Sequence, residues 1–145
     1  MANRLILRKI IPDMYQIFMQ LSETVAKTGI KSLYQELIKI RASQINGCAY
    51  CLHKHSQDAI AHGEDPKRLY VLSAWREARN WFSKEEQVIL RLTEEVTLIS
   101  HHGLSDQTYD EAVELFGEIG TAQLIVAVIN INALNRIAVS LTMHP

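Results

Sequence analysis

Apolar residues recur every three or four positions through most of the chain, and the breaks fall at glycine, proline and capping residues. From Pro12 to Thr28, Met14, Ile17, Phe18, Leu21 and Val25 form one stripe that stops at Gly29. That spacing predicts a helix. A second helix is predicted from a Ser32 cap with Gln35 as its capping-box partner, carrying Leu33, Leu37, Ile38, Ile40 and Ile45. Asn46-Gly47 breaks the pattern, and a third helix runs from Cys48 to His62 and stops at Gly63. Pro66 opens a short helix through Val71, and Ala74 to Asn80 reads as a further turn or two. Ser83 and Glu86 make a capping box for Glu85 to Ile99, whose apolar face is Val88, Ile89, Leu92, Val96 and Ile99. Ser105 is placed as the cap of Gln107 to Phe116, and Thr121 as the cap of a long final helix to about Met143. No strand, linker, low-complexity stretch or repeat interrupts the series. The expectation is an all-α bundle of about six to seven helices in one domain, 1–145.

The final helix is apolar nearly all round, with Leu124, Ile125, Val126, Val128, Ile129 and Ile131 in close succession. A helix without a polar face has to be covered on every side. It is therefore expected either at the centre of the bundle or partly under another subunit, and a homo-oligomer is the preferred reading. The run from Ala122 to Leu134 contains Asn130 and Asn132, which makes it too short and too polar to span a bilayer. With 48% hydrophobic and 21% charged residues, the composition is that of a soluble globular protein. A net charge of −1 with no basic cluster gives no case for nucleic acid or anionic membrane. Met1 to Leu7 has no sustained apolar stretch, so no signal peptide is expected and the chain is placed in the cytoplasm. Its cysteines should then start reduced.

Chemistry concentrates in the third predicted helix. Cys48 and Cys51 are the only cysteines, three apart; His55 follows four later, and Glu36 precedes Cys48 by twelve. On a helix, Cys48, Cys51 and His55 fall on one face, and the thiols are near enough to join or to share a ligand. A base beside a thiol pair is what dithiol redox chemistry requires. A purely structural disulfide is unattractive, because so small a loop removes little unfolded-state entropy. Haem attachment needs histidine directly after the second cysteine, where this chain has Leu52. Zinc held by Cys48, Cys51, His55 and Glu36 stays open as an alternative, although no second tight ligand pair exists.

The stretch from Glu36 through Cys48-Ala-Tyr-Cys51-Leu-His-Lys-His55 resembles the core motif of the alkylhydroperoxidase D (AhpD)-like, or carboxymuconolactone decarboxylase, family. Ala59, Gly63, Arg68-Leu69, the run Ala74-Trp75-Arg76-Glu77-Ala78, Leu92-Thr93-Glu94 and Asn132-Ala-Leu-Asn135-Arg136 are similar to its small single-motif members, over about 100 residues. The resemblance implies an all-helical fold, commonly trimeric or hexameric, and a thiol-dependent alkyl hydroperoxidase or dithiol–disulfide oxidoreductase with an antioxidant role. Carried over, it makes Cys51 the peroxidatic thiol and Cys48 the resolving one, with Glu36 and His55 as the proton relay. The implied partners are a peroxide and a thiol reductant such as a lipoylated or thioredoxin-like protein, with no cofactor and no metal. Decarboxylase members lack the cysteine pair, so its presence argues against decarboxylation. In the founding peroxidases a histidine lies inside the cysteine pair, where this chain has Tyr50. A slower peroxidase, or one whose physiological substrate is a disulfide, is a variant of the same reading. The runner-up is a non-peroxidatic helical assembly or zinc-binding protein that retains the site.

Outside that constellation the expectations are plain. His53, His101, His102 and His144 should be solvated, and His62 should complement a helix dipole. Trp75, Trp81 and Tyr70 are read as core or interface. Arg136, on an apolar helix, is expected to form a buried ion pair with Glu94 or Glu95.

Overall fold

The computed structural model describes residues 4–145. Among the described residues every regular element is helical. In chain order they are α1 (Leu7–Ile10), α2 (Pro12–Ala26), α3 (Ser32–Asn46), α4 (Ala49–Ala61), α5 (Pro66–Val71), α6 (Lys84–Thr97), α7 (Ile99–His102) and α8 (Asp106–Ser140). Two 3₁₀ turns, Leu72–Ala74 and Arg79–Trp81, occupy the stretch where extra helical turns were expected. The one-turn helices α1 and α7 were not anticipated, being too short for periodicity to reveal. The reading of the N-terminus as free of a signal rests partly on residues 1–3, which lie outside the described residues.

Most start signals act as read. Ser83 Oγ accepts from the Glu86 amide at 3.2 Å while Glu86 Oε2 accepts from the Ser83 amide at 2.8 Å, which completes the capping box of α6. Ser105 Oγ accepts from the Thr108 amide at 3.3 Å and so caps α8. Two signals act differently. Ser32 is the first residue of α3 rather than its cap, and Gln35 Nε2 donates back to the Ile30 carbonyl at 3.0 Å. Thr121 lies inside α8, buried, with no partner for its hydroxyl among the described residues. The break comes earlier, at Gly117, whose φ of 69° and ψ of 173° belong to a region that only glycine enters without strain. The expected pair of helices is thus one kinked element.

The most enclosed helix is α3, not the last one. Ile38 and Ala42 face a core shared with Val25, Val88, Ile89, Leu92, Leu124, Val128 and Ile131. On another face of α3, Leu37 and Ile40 pack with Ala59, Leu72, Trp75, Phe82 and Leu90. Polar ties fix the last helix against α3 and α6. Asn46 Nδ2 donates to the side-chain oxygens of both Asn132 and Asn135 at 2.9 Å, Asn135 Nδ2 donates to Ser43 Oγ, and Asn132 Nδ2 to Thr97 Oγ1. Helix α8 is long and apolar enough by length and composition to cross a membrane, with a mean hydropathy of 1.7 over its best window. The run from Ala122 to Leu134 lies inside this helix, which continues on both sides of it. Ile119, Val126, Ile129 and Val139 point away from the bundle.

The buried ion pair expected of Arg136 does not form. Arg136 is exposed and donates to the Asn132 carbonyl and side chain, so it loses no hydration that a counter-charge would have to replace. Glu94 instead accepts from Arg41 Nε and Trp75 Nε1, each at 2.8 Å, and Glu95 accepts from Ser105 and Thr108. Trp75 is core, whereas Tyr70 and Trp81 are exposed.

Candidate active site

Gly47 takes a left-handed φ of 65° and turns the chain from α3 into α4. Cys48 is the N-cap of α4, and its Sγ accepts from the Cys51 amide at 3.3 Å. The helix dipole and this amide both favour negative charge on that sulfur. Cys48 and Cys51, with Cα atoms 5.3 Å apart, are joined as a disulfide. The one-turn spacing places both sulfurs within bonding range. Both cysteines are buried beside Ala138 and Tyr50.

Their surroundings are not equivalent. A cavity of about 310 Å³ opens beside the pair, and its wall includes Cys51 but not Cys48. His55, Lys39, Lys54 and Asp58 stand in that wall near α4, while Met19, Val25, Ile131, Leu134 and Ile137 of α2 and α8 supply an apolar lining. Ser22 and Asn130 place a mutually hydrogen-bonded polar pair in the same wall, with Asn130 Nδ2 3.1 Å from Ser22 Oγ. Tyr50 lines the cavity as well, which gives the residue between the cysteines a packing role.

The buried Glu36 carboxylate reaches this cluster from α3. Oε2 lies 3.1 Å from His55 Nδ1, and Oε1 lies 2.7 Å from Lys39 Nζ. Burial pushes its pKa up, but the hydrogen bonds and charges of His55 and Lys39 outweigh that and hold it below the usual carboxylate value. An ionised carboxylate only accepts, so His55 Nδ1 carries the proton and, in the neutral ring, Nε2 keeps the lone pair. Asp58 Oδ2 lies 3.4 Å from the same Nδ1 and 2.9 Å from Lys54 Nζ. Burial also raises the Asp58 pKa, and Lys54 and His55 more than reverse the effect.

Of the four residues singled out from sequence, the structure joins Cys48 to Cys51 and His55 to Glu36, with Cys51 and His55 in one cavity wall. Lys39, Asp58 and Lys54 were missed. Each lies three or four residues from a predicted site residue on its own helix, so helical spacing alone carried the signal. Of the ligand set weighed for zinc, the two cysteine sulfurs are paired with each other in this structure, while His55 and Glu36 are in contact. The cation-capable group that does assemble is Glu36, His55 and Asp58, within 4.8 Å of one another. Ammonium groups of Lys39 and Lys54 already compensate its two carboxylates. His53, His101, His102 and His144 are exposed, as expected, and His62 is exposed at the C-cap of α4.

Residues 12–95, which include Glu36, Cys48, Cys51 and His55, match the model of the carboxymuconolactone decarboxylase family. An uncharacterized Bacillus subtilis protein, YdfG, is 36% identical over 141 residues, covering 97% of this chain and 95% of its own. A crystal structure from Agrobacterium tumefaciens, of a protein of unknown function proposed as an antioxidant defence protein AhpD, superposes with a TM-score of 0.94. It is 30% identical, and the match covers 99% of both chains. An uncharacterized peroxidase-related protein from Silicibacter sp. TM1040 shares the fold, with a TM-score of 0.79 at 21% identity over 90% of this chain and 69% of that one.

Proposed function

The chain belongs to the carboxymuconolactone decarboxylase family, and from that premise we propose that it is a cytoplasmic thiol-dependent peroxidase, a dithiol–disulfide oxidoreductase acting through Cys51. The observation that carries this reading is the position of Cys51. It lines an apolar cavity together with His55, whose Nδ1 is held by the buried Glu36, and it is already bonded to Cys48.

In the reduced enzyme His55 Nε2 takes the Cys51 proton. The thiolate attacks the terminal oxygen of R–O–O–H, the O–O bond breaks, and Cys51 becomes a sulfenic acid. The departing alkoxide takes the proton back from His55 and leaves as R–OH. Cys48, as thiolate, then attacks Cys51 Sγ. The S–S bond forms, the S–O bond breaks, and hydroxide leaves as water after protonation. An external dithiol reduces the disulfide and is itself oxidised to a disulfide. Access and electrostatics divide the roles. Only Cys51 faces the cavity, so it meets the peroxide. Cys48 sits at the helix N-terminus, where its thiolate is stabilised and makes the better leaving group during reduction.

Variants of each cysteine test the order of attack. Cys48→Ser should accumulate one trappable sulfenic acid after peroxide, whereas Cys51→Ser should not react. The opposite pattern exchanges the roles. No turnover of any organic hydroperoxide with dihydrolipoamide by the intact pair would remove the peroxidase reading.

A further inference from the structure

A second cavity, of about 350 Å³, lies beside the thiol cavity. Tyr15, Tyr50, Ile137 and Met143 stand in the walls of both, so the two are chambers divided by a shared partition of side chains. The second chamber is otherwise lined by Leu5, Ile6, Leu7 and Leu141, and its only charged lining residues among the described ones are Arg4 and Arg8.

The cations of the two chambers differ in what they already hold. Lys39 Nζ is 2.7 Å from Glu36, and Lys54 Nζ is 2.9 Å from Asp58. Arg4 and Arg8 have no carboxylate partner among the described residues. Arg4 donates from Nη1 to the Ser140 carbonyl, which leaves most of its five N–H donors without a partner among the described residues. Arg8 is exposed. On a chain of net charge −1, this chamber is a local site of uncompensated positive charge beside a largely apolar partition.

We propose that the substrate is a long-chain hydroperoxide carrying a carboxylate, bound with its carboxylate at Arg4 and Arg8 and its chain across the shared partition towards Cys51. This rests on the peroxidase reading of Cys51. Guanidinium forks match a carboxylate in geometry and charge, and the partition offers the chain apolar contact on its way in. The reverse orientation puts the carboxylate beside Glu36 and Asp58, whose lysines are already engaged, and like charge opposes it. The redox step is the one written above. The hydroperoxide is reduced to the hydroxy acid, Cys51 and Cys48 are oxidised to the disulfide, and the carboxylate is unchanged.

Two measurements on the full chain test this. In the first, kcat/KM is compared for linoleic acid hydroperoxide and its methyl ester, both below micelle-forming concentration, with tert-butyl hydroperoxide as the control for peroxidase activity. The acid should be preferred about tenfold, and the acid-to-ester ratio should fall towards one in R4Q/R8Q and part of the way in R8Q. Equal rates with acid and ester in the unaltered protein, or a preference that persists in R4Q/R8Q, overturns the proposal. In the second, calorimetry compares decanoate with decan-1-ol, which needs no turnover. Tighter binding of decanoate that is lost in R4Q/R8Q supports the anion chamber even if no hydroperoxide is reduced, in which case the peroxidase reading alone falls. Equal binding of the two probes, alongside normal tert-butyl hydroperoxide reduction, removes the anion chamber and leaves the peroxidase reading standing.

Discussion

Lys39 and His55 hold opposite oxygens of the Glu36 carboxylate, at 2.7 and 3.1 Å, deep enough that water contributes little. Removing that charge with Glu36→Gln keeps the volume but takes away the acceptor that orients the imidazole. The reactive thiol should then return towards the free pKa of about 8.5, where only about 3% is ionised at pH 7, so loss of ionisation alone slows peroxide reaction by up to about 30-fold. The rate at high pH should be nearly intact, since preformed thiolate needs no base. His55→Asn should behave alike, and unchanged rates at pH 7 in both variants would detach these residues from the thiol. The same carboxylate has a stability signature. Its folded pKa lies below the unfolded value of about 4.5, so the stabilisation is present above that pH and is lost as pH falls through the lower folded value. Urea melts taken from pH 6 down to pH 3 should show a steeper loss for the parent than for Glu36→Gln. Cys48, Cys51, His55 and Glu36 were legible in the sequence because helical spacing and a fixed offset place them. The cavity wall from α2 and α8 was not, because it depends on which helices meet.

Helix α3 is covered on two sides, and what ties it to α8 is a set of amides rather than a charge pair. Asn46 Nδ2 serves the oxygens of Asn132 and Asn135 at once. Asn46→Ala leaves the fully buried Asn135 oxygen without its donor, a loss of about 1–3 kcal/mol. Thermal melts should show Tm lower by a few degrees, at about 2–4 °C per kcal/mol for a chain of this size. An unchanged Tm would mean that the amide set is not what fixes α3 on α8. Gly117 offers a second test. A Cβ there meets nothing within 4 Å, so any cost of Gly117→Ala comes from its backbone angles. That cost should be about 1–3 kcal/mol, and a neutral result would mean the kink relaxes. The caps at Ser83 and Ser105 and the all-α class followed from local pattern, whereas the count of helices did not, since the one-turn α1 and α7 are too short for periodicity to reveal. The kink was missed because Thr121 offered a stronger local start signal than a lone glycine.

Across the whole molecule, the apolar surface that the bundle fails to cover includes residues of α1, α2 and α8. Ile10, Met14, Ile17, Ile119 and Ile129 are each at least half exposed. Single exposed apolar residues are ordinary, but a set spread over neighbouring helices is what an association surface would present. The periodicity of α8 raised the expectation of cover by another subunit, and the structure places α3, not α8, at the centre of the bundle. Light scattering should report a trimer or hexamer, and Ile129→Glu should shift it towards smaller species by placing an unpaired charge in a dry contact. A monodisperse monomer for the parent would contradict it.

The central claim, that Cys51 and Cys48 act together as a peroxide-driven dithiol, is tested most directly by counting thiols anaerobically in fully reduced protein before and after one equivalent of organic hydroperoxide. The account requires two titratable thiols per chain to disappear together and to return with dithiothreitol. Loss of one thiol, or of none, contradicts it.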